Sequence, residues 1–392
     1  MRTFRSLRHR NYRLYFFGQL ISLVGSWTQI TALTWLAHAQ THQVKWPAFL
    51  AAVQIGPTFL LGPWGGSLAD RVSRRGLIVR TQLTFLSCAL VMLALYWADL
   101  LTVGAMLAVM LVHGVIQAID LPARLAFVPG LVGREDLSNA VALNSLLFNV
   151  ARAIGPALAG LLLSAAGAGW CFIVNALSYL AIIVALLLIR LPPEPVDALP
   201  PSPHGGFRVL ARQPGMLTLV ILAALVAIGG WPLLSLLPFL ADRHLDQGEA
   251  GYGTLLSAVG LGALCGALTA ATLGSEVRRK VLLLGGLIVA AAGLATLAGT
   301  QSLPIATLSC VLFGYGMIMF FATGQSAVQL GTGDADRGKV MGVWAMMLSA
   351  GVPLGNLIFG PVADVVGITR VIAVQAATIS VAAVVLLVRR AD

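Results

Sequence analysis

Residues 134–160 read REDLSNAVALNSLLFNVARAIGPALAG, and residues 334–360 read DADRGKVMGVWAMMLSAGVPLGNLIFG. Set at a fixed offset of 200, residues 129–160 and 329–360 superpose Asp136 on Asp336, Gly155 on Gly355 and Gly160 on Gly360 without a gap. Earlier in each half, an offset of 204 brings Gly56 onto Gly260, Gly62 onto Gly266, and Arg74 and Arg75 onto Arg278 and Arg279. Two diverged copies of one apolar unit are the mark of an alternating-access transporter, because such proteins are built from internal repeats.

Composition places both copies in a membrane. Hydrophobic residues make up 58% of the 392 residues and charged ones only 10%, against about 25% charged in soluble domains. Mean hydropathy is +0.89. Runs long enough to cross the bilayer, roughly 20 residues each, fall at 14–38, 46–69, 77–97, 102–121, 138–165 and 169–189. A second set falls at 216–240, 250–273, 281–300, 303–328, 338–363 and 370–388. These spacings predict an all-α membrane protein of twelve transmembrane helices in two six-helix repeats. The expected bundles are 1–190 and 213–392, joined by a proline-rich linker at 191–212.

The net charge of +10 is topological. Arg2, Arg5, Arg8, Arg10 and Arg13 precede the first span, while Arg71, Arg74, Arg75 and Arg80 follow the second. Arg134, Arg190, Arg208, Arg212, Arg278, Arg279, Lys280, Arg337, Lys339, Arg389 and Arg390 occupy the same side, and the alternate loops hold only Lys45, Arg243 and Arg370. By the positive-inside rule both termini and the linker are expected in the cytoplasm. Nucleic acid is not an expected partner. The first span, dotted with Gln19, Ser22, Ser26 and Gln29, reads as permanent and not as a cleaved leader. Cys88, Cys171, Cys265 and Cys310 stand apart with no CxxC or Cys/His spacing, so neither a metal nor another cofactor is expected.

Polar residues inside the spans mark candidate sites. Arg152 lies roughly 21 Å into span five, at about 1.5 Å per residue. An arginine there costs on the order of 3 kcal/mol and is expected to face a partner or a cavity. Ser145, Asn149, Arg152 and Pro156 share one helical face, and Gln19, Ser22, Ser26 and Gln29 form a stripe in span one. Gln54, Gln325, Gln329 and Asn356 add further polar groups. For the amides, substrate contact and interhelical hydrogen bonding are equal readings. Asp120 and Arg124 stand four apart around Pro122. They are either a proton-coupling site, with His113 as a further titratable group, or a static salt bridge. Span seven carries Gly229-Gly230-Trp231-Pro232 and Pro238 and is expected to break, either at a gate or as a packing kink.

The loop Gly66-Ser67-Leu68-Ala69-Asp70-Arg71-Val72-Ser73-Arg74-Arg75 resembles the cytoplasmic signature of the major facilitator superfamily. The resemblance implies a latch in which Gly66 permits close helix approach, Asp70 pairs with a cation or helix N-terminus, and Arg71, Arg74 and Arg75 hold the cytoplasmic face. The second half departs from it, with Gly274 in the aspartate's place. The stretch 151–160, ARAIGPALAG, resembles the superfamily's antiporter motif. There Gly155, Pro156 and Gly160 are expected to pack span five on a partner from the other half. The segments 4–13, 18–22, 120–129 and 134–140 resemble the exporter subfamily that includes the enterobactin exporter.

That likeness implies export of a small molecule (a siderophore, drug or metabolite) by proton antiport from a bacterial inner membrane, with the chain acting as a monomer among membrane lipids. Two departures count against a cation-drug pump: span one has no acidic residue, and Gly114 stands where many superfamily exporters carry arginine. A flippase for lysophospholipids or lipid precursors is the alternative. A membrane-embedded enzyme is disfavoured because no nucleophile–base–acid set appears in the spans.

Overall fold

The computed structural model describes residues 4–190, 206–273 and 279–388, without the side chains of Pro63, Ser67, Ala69, Asp70, Arg71, Arg134, Gly206, Asp334 and Ala335. Every regular element among these residues is helical. In the first half they are α1 (Arg10–Thr41), α2 (Lys45–Arg71), α3 (Arg74–Trp97), α4 (Val103–Phe127), α5 (Leu137–Ala166) and α6 (Ala168–Leu188). The second half has a short α7 (Gly206–Ala211), then α8 (Pro214–Gly230) and α9 (Leu233–Phe239). It continues with α10 (Gly248–Leu273), α11 (Arg279–Gly299), α12 (Leu303–Gly331), α13 (Asp334–Val366) and α14 (Ile368–Val388). Eleven segments among the described residues are long and apolar enough to cross a membrane, α8 and α9 forming one of them. The 27-residue α2 is also long enough to span. Helices are required there because hydrocarbon offers backbone groups no other partner.

The chain divides into two compact units, Met1–Gln40 with Val53–Pro200, and Thr41–Ala52 with Pro201–Asp392. The first turns of α2 therefore belong with the second unit. There the Asp364 carboxylate, close to the end of α13, accepts the Val44 N–H at 2.6 Å and the Lys45 N–H at 3.1 Å. A carboxylate in this position satisfies orphan donors and complements the helix dipole.

The repeat is visible in element boundaries. Helices α6 and α14 cover Ala168–Leu188 and Ile368–Val388, the same 21 residues at an offset of 200. Each is entered through a glycine in the left-handed region, Gly167 at φ 85° and Gly367 at φ 91°. A side chain is strained at such an angle, so the turn between the fifth and sixth spans of each repeat calls for glycine.

Small residues let helices touch backbone to backbone, which is how membrane helices gain dispersion contact. In the first unit a methyl added at Gly18 would lie 2.8 Å from Ala185 Cβ, locking α1 against α6. Gly114 of α4 lies against the Gln54 and Val53 carbonyls of α2, at 2.6 and 2.9 Å from an added methyl. No longer side chain fits at this position without a shift of α2 or α4. In the second unit Gly286 and Gly293 of α11 approach α12 in the same way, with added methyls 2.8 Å from Gly316 O and 2.7 Å from Ser309 O.

Span seven breaks where its glycines and proline stand: α8 ends at Gly230, α9 begins at Leu233, and a π turn follows at Leu240–His244. Added methyls at Gly229 and Gly230 would meet Thr378 of α14 at 2.8 Å and Met317 of α12 at 2.5 Å. Trp231, at the break, stacks on Phe321 with ring centroids 6.0 Å apart.

Candidate functional site

In the first unit, four helices bring polar and aromatic side chains into one buried chain. Gln19, Ser22 and Gln29 of α1 are buried and Ser26 is half-buried. Asn175 of α6 donates its side-chain amide to Gln29 Oε1 at 2.8 Å. Ser26 and the Tyr179 hydroxyl of α6 share a hydrogen bond at 3.2 Å. Tyr179 stacks on Phe85 of α3 at 5.8 Å, and Phe85 lies tilted against His113 of α4 with ring centroids 4.4 Å apart. The span-one stripe thus meets His113 through two aromatic rings that sequence reasoning missed.

Four residues further along α3 from the ring, in the N-terminal direction, the buried Asp120 carboxylate of α4 is held by one ion pair and two hydrogen bonds. Arg124 Nε pairs with Oδ2 at 2.6 Å, while the Thr81 hydroxyl and the Gln82 amide donate to Oδ1 at 2.5 and 3.0 Å. The α4 helix runs through Pro122 to Phe127, which keeps the i,i+4 spacing intact.

Arg152 of α5 stands over the Trp27 ring of α1, with its guanidinium carbon 5.4 Å from the centroid. One turn on, the Thr28 hydroxyl donates to the Gly155 carbonyl at 3.1 Å, and a methyl on Gly155 would lie 2.9 Å from the Val24 carbonyl. The close approach made by Gly155 is to α1 of its own unit. Gly355 repeats it on α8, where an added methyl would meet the Ile228 carbonyl and lie 2.7 Å from Pro232. The contact serves the inside of each repeat because α5 and α1 are neighbours within one bundle. Pro156 and Gly160 are buried beside it.

The remaining candidates are dispersed. Asn149 donates to the Ser145 carbonyl of its own helix at 3.0 Å, and Gln54 is half-buried. In the second unit Gln325 and Gln329 are exposed, and Gln329 lends its backbone carbonyl to Arg337 at 3.0 Å. Asn356 is buried and accepts the Ser235 hydroxyl of α9 at 2.7 Å.

Arg75 donates to the Leu187 carbonyl at 2.8 Å, closing the end of α6, and Arg74 is half-buried. The close helix approach expected at Gly66 belongs to its neighbour. An added methyl at Gly66 meets open space, whereas one at Gly65 would meet the Ala118 carbonyl of α4. Consecutive residues point about 100° apart on a helix, so only one of the two can face α4. The side chains of Asp70 and Arg71, the second-half loop at 274–278 and most of the linker lie outside the described residues.

Sequence reasoning also missed Gln375 of α14. It is fully buried, and neither its amide oxygen nor its nitrogen has a hydrogen-bond partner among the described residues. At an offset of 200 it occupies the position of Asn175. That coincidence was the signal available to find it.

Two six-helix repeats with a polar interior define a multi-pass membrane transporter of the major facilitator type. Residues 1–391 match the family described as transmembrane secretion effector, and the chain belongs to that family. It is 29% identical over 360 residues to the enterobactin exporter EntS of Escherichia coli O6:H1 (strain CFT073), covering 90% of this chain and 85% of that protein. The enterobactin exporter EntS of Shigella boydii serotype 18 matches with the same identity and coverage. Among solved structures, a mutant of the nucleoside transporter NupG superposes with a TM-score of 0.78 at 14% identity, covering 95% of this chain and 99% of that one. A POT family transporter in complex with a thioalcohol-conjugated peptide superposes at 0.79 and 14% identity, covering 97% and 96%. At these identities the structures speak to the fold alone.

Proposed function

We propose that the chain exports a small organic molecule of the siderophore, drug or metabolite class, by alternating access and proton antiport across a bacterial inner membrane. Similarity along most of the chain to proteins named as enterobactin exporters carries the export reading. It does not favour the lipid-flippase alternative, and transporters as relatives speak against an enzyme. The arginine distribution supports cytoplasmic termini, and the protein is taken as a monomer.

Arg152, backed by Trp27, supplies a cation for an anionic or catecholic group, and the amides and hydroxyls of Gln19, Ser22, Ser26, Gln29, Gln54 and Asn149 supply its polar surroundings. Gln325, Gln329 and Asn356 are the candidate polar groups of the second unit. Proton coupling belongs to Asp120. A proton on Asp120 and its pairing with Arg124 exclude each other, so proton arrival frees the arginine and the Thr81 and Gln82 side chains to rearrange. His113 lies on the same helix as a relay. The latch of Gly66, Asp70, Arg71, Arg74 and Arg75 biases the conformational equilibrium.

The test is proton movement in acidified inside-out vesicles on adding siderophores, macrolides and cationic dyes. Substrate-dependent alkalinisation in wild type supports antiport and names a class. Silence across the panel in vesicles that hold their gradient sinks it.

A further inference from the structure

We propose that the first unit carries a binding site for an anionic glycerophospholipid in the groove between α1 and α6. This is a bound membrane lipid and not a transported one, so the site stands apart from the export reading. The groove has a volume of about 370 Å³ and is open along the side of the unit. Phe17, Ile21, Val184 and Leu188 wall it, each about half exposed. Its floor is made of Gly18 and Ala185, so the groove exists because small residues bring the two helices together at its base, and Ala181 lines it above them. From Arg13 to Ile21 it follows α1 for roughly 12 Å, at about 1.5 Å rise per residue. In a membrane protein such an apolar channel is filled by an acyl chain.

The headgroup is read from the other end. Arg13 lines the groove at the interfacial end of α1 and is exposed. Its side chain has no hydrogen bond or ion pair among the described residues. Arg10, one turn earlier, donates to the Leu188 carbonyl at 3.2 Å, and so bridges α1 to the end of α6 above the groove. Neither helix contains an acidic residue to neutralise these cations. A basic mouth on an interhelical apolar groove is the arrangement that binds anionic headgroups.

The topological role of the arginines explains their side of the membrane but not a groove beneath one of them. The second unit provides the contrast. A groove of about 390 Å³ between α11 and α14, lined by Ile288, Ala291, Ala383 and Leu387 among others, has no charged residue in its lining. It fits acyl chains without headgroup preference.

The experiment is native mass spectrometry of the delipidated full-length protein, titrated with phosphatidylglycerol or phosphatidylcholine of identical chains. Wild type is expected to take up its first phosphatidylglycerol about fivefold more tightly than phosphatidylcholine, the equivalent of about 1 kcal/mol for one interfacial arginine. Arg13→Gln is expected to erase that preference and Arg13→Lys to keep it. Ala181→Phe, which fills the groove, is expected to remove the first tight adduct. Ala291→Phe in the uncharged groove is expected to leave the preference unchanged. Equal uptake of both lipids by wild type, or an undiminished preference in Arg13→Gln, overturns the proposal. So does retention of the tight adduct in monodisperse Ala181→Phe.

Discussion

Asn175 of α6 reaches across the first unit to Gln29 of α1, amide nitrogen to amide oxygen, at 2.8 Å, with both side chains buried. The Ser178 hydroxyl, donating to the Asn175 carbonyls of backbone and side chain at 2.7 and 3.2 Å, fixes the orientation of the amide. An apolar pair would pack α1 on α6 as well, so the amides add direction and register to a contact that dispersion alone would leave free to slide. A double-mutant cycle with Gln29→Leu and Asn175→Leu should give a coupling energy of about 0.6–1.7 kcal/mol by unfolding in detergent. A coupling of zero would mean that the two amides act independently, and that Gln29 is held for substrate.

Gly155 should tolerate nothing larger than itself. An added methyl runs into Trp27 Cβ and lies 2.9 Å from the Val24 carbonyl and 3.2 Å from the Thr28 amide nitrogen. Two of those neighbours are backbone atoms, which cannot step aside as a flexible side chain does. Gly155→Val should destabilise the protein by about 1–3 kcal/mol through overpacking, and Gly355→Val should do the same in the second repeat. Thermal unfolding of the two variants checks this. Wild-type stability in Gly155→Val would show that α1 and α5 separate readily.

How far the sequence reached depended on whether a signal was periodic or pairwise. Twelve apolar runs, the repeat offset and the break at Gly230 are local patterns, and the helices follow them. Partners are not local. Tyr179 and Asn175 are single polar residues in an apolar run, and nothing in α6 says that they face α1. Thr81 and Gln82 lie 38 or 39 residues from the carboxylate they serve. The stripe in α1 was readable because four polar residues share a face, whereas its acceptors and donors were readable only by pairing helices. The Gly65 and Gly66 pair shows the same limit at one-residue scale: the motif marks the right turn of helix, and packing decides which glycine is used.

Arg152→Ala should abolish transport while the protein remains folded. Its stacking on Trp27 contributes about 0.5–2 kcal/mol, small beside the stability of two packed bundles, so the loss should be functional. Arg152→Lys keeps the charge and should retain weakened transport. The check is vesicle transport beside size-exclusion profiles for both variants. Normal transport by Arg152→Ala would remove the residue from the substrate path.

Asp120→Asn separates the two readings of the α4 pair. An amide keeps an acceptor for Thr81 or Gln82 but carries no charge for Arg124, and leaves that buried arginine uncompensated, at a cost of about 3–5 kcal/mol where a buried pair is broken. If Asp120 is the coupling site, the folded variant should still bind substrate while substrate-driven proton movement disappears. If the pair is a static brace, the variant should lose thermal stability, and whatever folded protein remains should transport with an unchanged pH profile. Arg124→Gln, measured alongside, should loosen the same network from its other side.

Gln375 offers the opposite experiment, a substitution that should stabilise. Its amide is fully buried on α14 with neither polar atom bonded among the described residues, and an unsatisfied buried group costs about 1–3 kcal/mol. Nearly isosteric Gln375→Leu or Gln375→Met removes that cost while keeping the volume. On packing grounds alone these variants should melt higher than wild type, by an amount corresponding to about 1–3 kcal/mol. The repeat argues that stability is not why the glutamine stands there. Its counterpart Asn175 is spent on Gln29, whereas Gln375 keeps its bonding capacity unspent, and a polar role for it is tested by transport. Transport should then fall in Gln375→Leu even as thermal stability rises. A variant both more stable and fully active would leave Gln375 as an unused remnant of the duplicated unit.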